Sequence, residues 1–407
     1  MKSKNKKAEL PSGWAFKELI EIANYVDYRG KTPAKQASGI FLITAKNIRK
    51  GYIDYSISEE FISKDDYHNV MSRGIPEKGD ILITTEAPLG SVAMINREDI
   101  ALAQRVIKYR TRKGICNNFY LFHYLQSDKF QQILELNSTG STAKGIKGSL
   151  LHKLKVLLPP LPEQRVIANI LSTWDTAISL TQNLLAQKEQ EKKWLMQELL
   201  TGKKRLKGFE GEWKVEVLGK VGKLINGLTY SPEDITNEGT LVLRSSNIQS
   251  GQLSLSSTVF VRDELNYNPI QIGDILICVR NGSRDLIGKS IKLDSRSKNN
   301  AFGAFMTVYR SDFNDYLIYF FQSDKFLNQV RKNLGATINS INNSDLVKYK
   351  IQFPPKEEQT AIAQVLQTAD KEIELLKAKL EQQQLQKKGL MQVLLTGKVR
   401  VKTENIS

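Results

Sequence analysis

The chain has 407 residues, enough for two or more domains, and carries 59 Lys+Arg against 43 Asp+Glu, a net charge of +16. An excess of that size, spread along the chain, points to a polyanionic partner, nucleic acid being the usual one. Two cysteines in unrelated contexts, Cys116 and Cys278, exclude a disulfide framework and fit a reducing compartment; His68, His123 and His152 lack the spacing of a metal site. No stretch has the length and apolarity of a membrane span, and the basic start MKSKNKK is followed by no apolar run. A cytoplasmic protein without a signal peptide is expected.

In chain order, FLIT from Phe41, DILIT from Asp80, SVAMI from Ser91 and VIKY from Val106 are short apolar or alternating runs, read as strands. NNFYLFHYLQSDKFQQILEL from Asn117 reads as one helix capped by asparagine. KLKVLL from Lys153 is a last strand running into Pro159-Pro160. The domain class is α/β or α+β, with a twisted, largely antiparallel sheet.

From Pro159 to Lys203 the pattern changes to a long helix. The double proline ends what precedes it, Pro162 and Glu163 suit a first turn, and Thr-Gly-Lys closes the other end. Ile167, Leu171, Trp174, Ile178 and Leu185 form an apolar stripe on an otherwise charged rod. The segment from Pro354 to Lys398 repeats this without a gap at an offset of 195, with Glu357 and Glu358 in its first turn and Ile362, Val365, Ile373, Leu376 and Leu380 as its stripe. Two equal striped rods, each roughly 50–55 Å long, have each other as the natural partner in an antiparallel coiled coil.

The segments between the rods repeat more loosely. Trp14 answers Trp213, Lys46-Asn47-Ile48 answers Ser246-Asn247-Ile248, and Gly79-Asp80-Ile81-Leu82-Ile83 answers Gly273-Asp274-Ile275-Leu276-Ile277. Gln126-Ser127-Asp128-Lys129-Phe130 recurs at Gln322-Ser323-Asp324-Lys325-Phe326. The chain is therefore a tandem of two units: a globular domain over 1–158, a helical spacer over 159–207, a second globular domain over 208–353 and a second spacer over 354–407.

The copies diverge in their loops, where a recognition surface would vary. Arg, Lys, Asn and Thr beside glycine can reach base edges or phosphates. Copy one offers Arg29, Lys31, Lys46, Asn47, Arg49, Thr84, Thr85, Thr142 and Lys144. Copy two offers Arg244, Asn247, Thr337 and Asn339, and the strongest set, Arg280, Asn281, Ser283 and Arg284, in a single loop. Asp80 and Asp274 are expected to shape the start of a strand. GSRDLIGKS from Gly282 has five residues between its glycines where a phosphate-binding loop has four, and SIKL after it alternates like a strand, so no nucleotide site is read there. No catalytic constellation is found: no nuclease carboxylate cluster, no metal spacing, and LPPL and FPPK are not the motif of an amino methyltransferase.

PPLPEQ and PPKEEQ, each leading a long helix to LLTGK and alternating with domains that carry GDILI and Gly-x-Thr, resemble the specificity subunit of type I restriction-modification enzymes. The resemblance covers nearly the whole chain. It implies two target-recognition domains and two spacers in a pseudo-twofold arrangement, reading a bipartite, asymmetric site on double-stranded DNA. It further implies two methyltransferase subunits and restriction/translocase subunits as partners. S-adenosylmethionine, ATP and Mg are expected in those partners and no cofactor in this chain. The competing expectation is a coiled-coil scaffold with non-specific affinity for nucleic acid, which the divergence of the loops fits poorly.

Overall fold

The computed structural model describes residues 10–28, 33–141, 144–249, 251–334 and 339–403. It divides into two compact units, Met1–Gln182 with Ala378–Ser407, and Asn183–Lys377. This division differs from the one drawn on the sequence. Each unit takes one globular domain together with part of both rods, because the rods pack on the domains and on each other.

In the first unit a four-stranded antiparallel sheet runs in the order Ala23–Asp27, Val106–Thr111, Ile81–Thr84, Val92–Met94. A three-stranded sheet, Phe61–Ile62, Ile40–Ile43, Ile100–Leu102, contains one parallel pair. Ala15–Glu18 pairs with Lys155–Leu158, tying the start of the domain to the strand that feeds the rod. The second unit repeats the plan: Lys223–Asn226, Met306–Arg310, Ile275–Cys278, Ser290–Lys292 form the four-stranded sheet, and Lys214–Val217 pairs with Lys350–Phe353. Ser290–Lys292 is the strand expected after the discarded phosphate-loop look-alike.

The single helix expected from Asn117 is two helices, Asn118–Gln126 and Asp128–Leu136. Ser127 has an extended backbone, and its hydroxyl caps the second helix by accepting from Phe130 N at 3.3 Å. A serine that caps ends one helix and starts another, which apolar spacing alone does not reveal. Ser323 does the same in the second unit. The repeated Gln-Ser-Asp-Lys-Phe now has a physical reason: serine caps, phenylalanine is buried (Phe130 and Phe326), and the aspartates Asp128 and Asp324 meet Gln392 and Gln197 on the rods.

Both rods are continuous helices of 39 residues, Leu161–Leu199 and Lys356–Leu394, roughly 58 Å each. They pair antiparallel in each unit. In the first, Ile167 and Leu171 share a core with Leu390 and Leu394, and Asp175 pairs with Lys387. In the second, Leu195 and Leu199 share a core with Ile362 and Leu366, while Lys188 meets Glu372 at 3.2 Å and Lys377 meets Glu189 at 2.8 Å. Of the expected stripe, Ile167, Leu171, Ile362 and Ile373 are buried, whereas Trp174, Ile178, Leu185, Val365, Leu376 and Leu380 are half-buried. Two facing helices leave the flanks of a seam wet, so the deepest burial falls where a domain covers the rod as well.

Each rod begins in a buried clamp. Glu163, placed in the first turn for the helix dipole, is buried; it accepts from the Trp14 indole at 3.2 Å and pairs with Arg400, which follows the other rod. Glu358 is fully buried and accepts from the Trp213 indole at 2.9 Å and from Arg205, through two hydrogen bonds of 2.7 Å. The next residue locks the proline turn: Gln164 donates to Pro159 O at 2.8 Å and Gln359 to Pro354 O at 2.7 Å.

A histidine joins the first domain to its rods. His123 is fully buried, with Nε2 3.1 Å from Ser172 Oγ and Nδ1 3.7 Å from Asp175, whose carboxylate already pairs with Lys387. Burial first, then the Lys387 charge, pushes its pKa down to about 3. The folded form is therefore neutral while the unfolded chain takes a proton below about 6.5. Its contribution is neutral above that pH, and stability is lost as pH falls from 6.5 towards 3.

Two outcomes follow for stability. Arg205→Ala leaves the buried Glu358 carboxylate with only the Trp213 indole, and thermal unfolding is expected to show a lowered midpoint. Adding Glu358→Gln should cost less than the sum of the two single changes. Separately, the stability lost between pH 7.5 and pH 5 should be smaller in His123→Gln than in the parent by about 2 kcal/mol. Equal losses would mean that His123 takes up its proton without unfolding.

Candidate nucleic-acid interface

The expected reading residues divide by burial. Asn47 is fully buried: its Oδ1 accepts from Thr44 N at 2.9 Å, and its Nδ2 donates to Asp54 O at 3.0 Å and Ser58 O at 3.1 Å. Asn247 repeats the arrangement with Arg244 N, Ser254 O and Ser257 O, each at 2.9 Å. An amide with both ends spent inside has no edge left for adenine. Thr84 and Thr85 are buried too; Thr84 Oγ1 accepts from Ser91 N at 2.9 Å and Thr85 Oγ1 donates weakly to Arg105 O at 3.4 Å. The expectation of base contact is thus revised for these four: they hold the loops that others sit on. Arg29, Lys31, Thr142 and Thr337 lie outside the described residues.

The aspartates do shape the strand starts. Asp80 accepts from Glu77 N at 2.9 Å and takes both arms of Arg110 at 2.7 and 2.8 Å; Asp274 accepts from Gln271 N and takes both arms of Arg310 at 2.8 and 2.7 Å. Asp80 also meets the buried Lys108 at 3.1 Å, and Glu77, 2.7 Å from Arg110, supplies the second negative charge. These two cations are thus balanced by two carboxylates.

In the first unit a cleft of about 230 Å³ is lined by Lys35, Lys46, Glu60, Gln104 and Arg105; of the expected residues it takes Lys46, while Arg49 and Lys144 are not in its lining. Lys46 is exposed and Arg49 half-buried, while Lys144 is exposed and paired with Glu135 on the neighbouring helix. Arg105, which faces this cleft, was missed on the sequence because it stands in an apolar-looking run, ALAQRVIKY, read only for its strand. Arg97, which is not in this lining, has its guanidinium over Tyr55 at 5.1 Å and Phe41 at 5.9 Å.

In the second unit a cleft of about 380 Å³ is lined by Asn226, Thr229, Arg280, Ser340, Asn342 and Asn343. Arg280, Ser283 and Arg284 are exposed, and Asn281 and Arg244 half-buried. Asn281 donates to Ser245 Oγ at 3.0 Å and accepts from Ser283 N at 3.0 Å, so it folds the loop; Arg284 reaches Leu334 O at 3.4 Å. Asn339 donates to Gly282 O at 3.1 Å, which brings the two loops together as one surface. The Arg280 guanidinium lies 5.7 Å from the centre of the exposed Phe305 ring.

These groups donate hydrogen bonds and carry positive charge; they do not form a nucleophile with a base. Both cysteines are buried, which pushes the Cys116 thiol up to about 12 and Cys278 to about 11. Among the described residues no cluster of three or more His, Cys, Asp or Glu side chains is placed to hold a metal, and no helix is long and apolar enough to cross a membrane.

A doubled frame of this kind has known counterparts. The family model for the type I restriction modification DNA specificity domain matches residues 11–190 and again 210–384. The chain belongs to this family. It is 25% identical to the type I restriction enzyme MjaVIII specificity subunit of Methanocaldococcus jannaschii over 97% of this chain and 95% of that one. Against the putative MjaX specificity subunit of the same organism it is 28% identical over 97% and 96%. The EcoKI specificity subunit of Escherichia coli is 30% identical over 47% of this chain and 43% of its own. In fold, the crystal structure of a type I restriction-modification S subunit from M. genitalium matches with a TM-score of 0.61 at 13% identity, over 97% of this chain and 98% of that one. A structure from work on complex assembly and conformational transition of the type I R-M system gives 0.59 at 18%, over 96% and 100%. The specificity-subunit fold accounts for the repeat, the rods and the divergent loops together.

Proposed function

We propose that this chain reads a bipartite, asymmetric DNA sequence for a type I restriction-modification system and scaffolds the subunits that carry out the chemistry. The observation that carries the reading is one frame built twice with unlike cleft linings: Lys46, Gln104 and Arg105 at the first cleft, Arg280, Ser340, Asn342 and Asn343 at the second. Equal frames with unequal donors suit two unequal half-sites. Methyl transfer and cleavage then belong to two methyltransferase subunits, with S-adenosylmethionine, and to restriction/translocase subunits, with ATP and Mg, all in the cytoplasm. A scaffold without sequence preference has no use for two differently furnished clefts, and the family membership speaks against it.

Duplex binding should be strongly salt-dependent because of the +16 charge. With roughly six to ten phosphates neutralised, log affinity is expected to fall with log salt at a slope of roughly −5 to −9. Fluorescence anisotropy across a salt series measures it, and a nearly flat line would remove the electrostatic part of the proposal.

Rod length is proposed as the ruler for the gap between half-sites. Four residues inserted after Gln187 add about one turn, roughly 6 Å of helix. Methylome sequencing of cells that carry the complete system should then show a gap lengthened by about two base pairs, at 3.4 Å each, with both half-site sequences kept. An unchanged gap would falsify the ruler, whereas altered half-sites would mean that the domains do not read independently of the rods.

A further inference from the structure

The two clefts share one position that is built the same way and filled differently. In the first unit Thr85 N donates to Arg105 O at 3.1 Å; in the second Val279 N donates to Phe305 O at 3.0 Å. Ile146 N donates to Thr85 O at 3.0 Å, and Ile341 N to Val279 O at 2.8 Å. Glu86 bridges Gly145, and Arg280 bridges Ser340, both antiparallel. The strands register alike as well: Thr84 faces Val106, and Cys278 faces Met306. Glu86 therefore corresponds to Arg280, and Arg105 to Phe305.

The side chains at this position differ in a particular way. In the first unit Arg105 Nε meets Glu86 Oε1 at 2.8 Å, with both side chains about half exposed. In the second the arginine comes from the other strand, Arg280, and its neighbour is the exposed ring of Phe305 at 5.7 Å. Each unit thus presents one arginine at the same place on the same backbone frame, from opposite strands, beside a companion that restricts its direction. Among the described residues Arg280 has no carboxylate partner. A guanidinium held at an angle, with arms still open to solvent, has the geometry for bidentate recognition of a guanine edge, and its planar fork is what a lysine lacks.

We propose that this position is a specificity determinant used twice: Arg105 reads a guanine in one half-site and Arg280 a guanine in the other, with Glu86 and Phe305 as positioning residues. The inference rests on the DNA-reading function proposed above and adds to it the residue pair and the base. The different companions set different approach angles, so the two guanines fall at different places within their half-sites.

The test uses the full chain with a randomised duplex library, bound sequences being read after selection. The wild-type chain should select two half-sites, each containing guanine. Arg105→Ala should relax one base pair in one half-site, with discrimination lost on the order of ten- to a hundredfold, and leave the other half-site intact; Arg280→Ala should do the reverse. Arg105→Lys and Arg280→Lys keep the charge and should keep the salt slope while losing the same discrimination. Phe305→Ala and Glu86→Gln should weaken the preference at the same base pair as their arginine. Unchanged thermal midpoints of these exposed variants exclude unfolding. Uniform weakening across all sequences would reduce the arginines to phosphate contacts and overturn the proposal, as would relaxation at a base other than guanine. If the wild-type chain selects no sequence at all, it is the DNA-reading function that fails.

Discussion

The buried carboxylate at the head of each rod is the constraint on which the rest depends. Glu163 and Glu358 each tie three parts of the chain together: the first turn of a rod, the tryptophan that opens the globular domain, and the arginine that follows the end of the other rod. A carboxylate out of contact with water is tolerated only when its oxygens are satisfied, so the three parts must arrive together. In each unit the clamp therefore fixes where the domain sits on its rod and where the partner rod stops. Gln164 and Gln359 hold the proline turn beside it, and Asp128 and Asp324 make a second attachment further along.

Fixing the domain through these contacts leaves the linings of its cleft outside the clamp. The cores that contain the rods also contain the two cap-linked helices and the inner face of the four-stranded sheet. The first cleft is lined from strand ends and from the loop that buried Asn47 ties, and the second from strand ends and from two loops that Asn339 joins through Gly282 O. The contacts that hold the fold and the groups proposed to read DNA thus fall on different residues. A loop side chain such as Arg280 or Arg105 can be exchanged without opening a core, whereas Asn247 cannot be exchanged without releasing the turn that it closes.

Much of the fold was legible because it depends on periodicity. The stripe of the rods, the alternation of the strands and the offset of 195 are properties of the string itself. The cap at Ser127 was not, since a serine between two apolar stretches reads equally well as a helical surface residue. The clamps were half legible: Trp14 and Trp213 were seen to correspond, but no local pattern says that an indole will meet a glutamate some 149 positions away. The interface was the least legible. Asparagine is both a base-reading residue and a loop lock, and its type does not decide between them; Asn47 and Asn247 are buried. Arg105 was hidden by the opposite error, because a strand was read for its apolar members alone.

The two copies decide what residue type leaves open. Side chains that recur at matching places hold the frame: Asn47 with Asn247, Asp80 with Asp274, Ser127 with Ser323, Glu163 with Glu358. Each of them is engaged inside the structure in the same way in both units. Buried positions can differ where the backbone carries the contact, as at Thr84 and Thr85 against Cys278 and Val279, whereas the exposed pair Glu86 and Arg105 against Arg280 and Phe305 exchanges its chemistry altogether. A duplicated frame can keep its buried polar contacts only by keeping the residues that make them, because each partner left behind would be a buried group without a hydrogen bond. An exposed pair carries no such penalty, and an ion pair at the surface contributes only about 0–1 kcal/mol to the fold. Change is therefore cheap in stability at the clefts and costly beneath them, and the two halves of one chain can come to read different sequences while remaining the same structure.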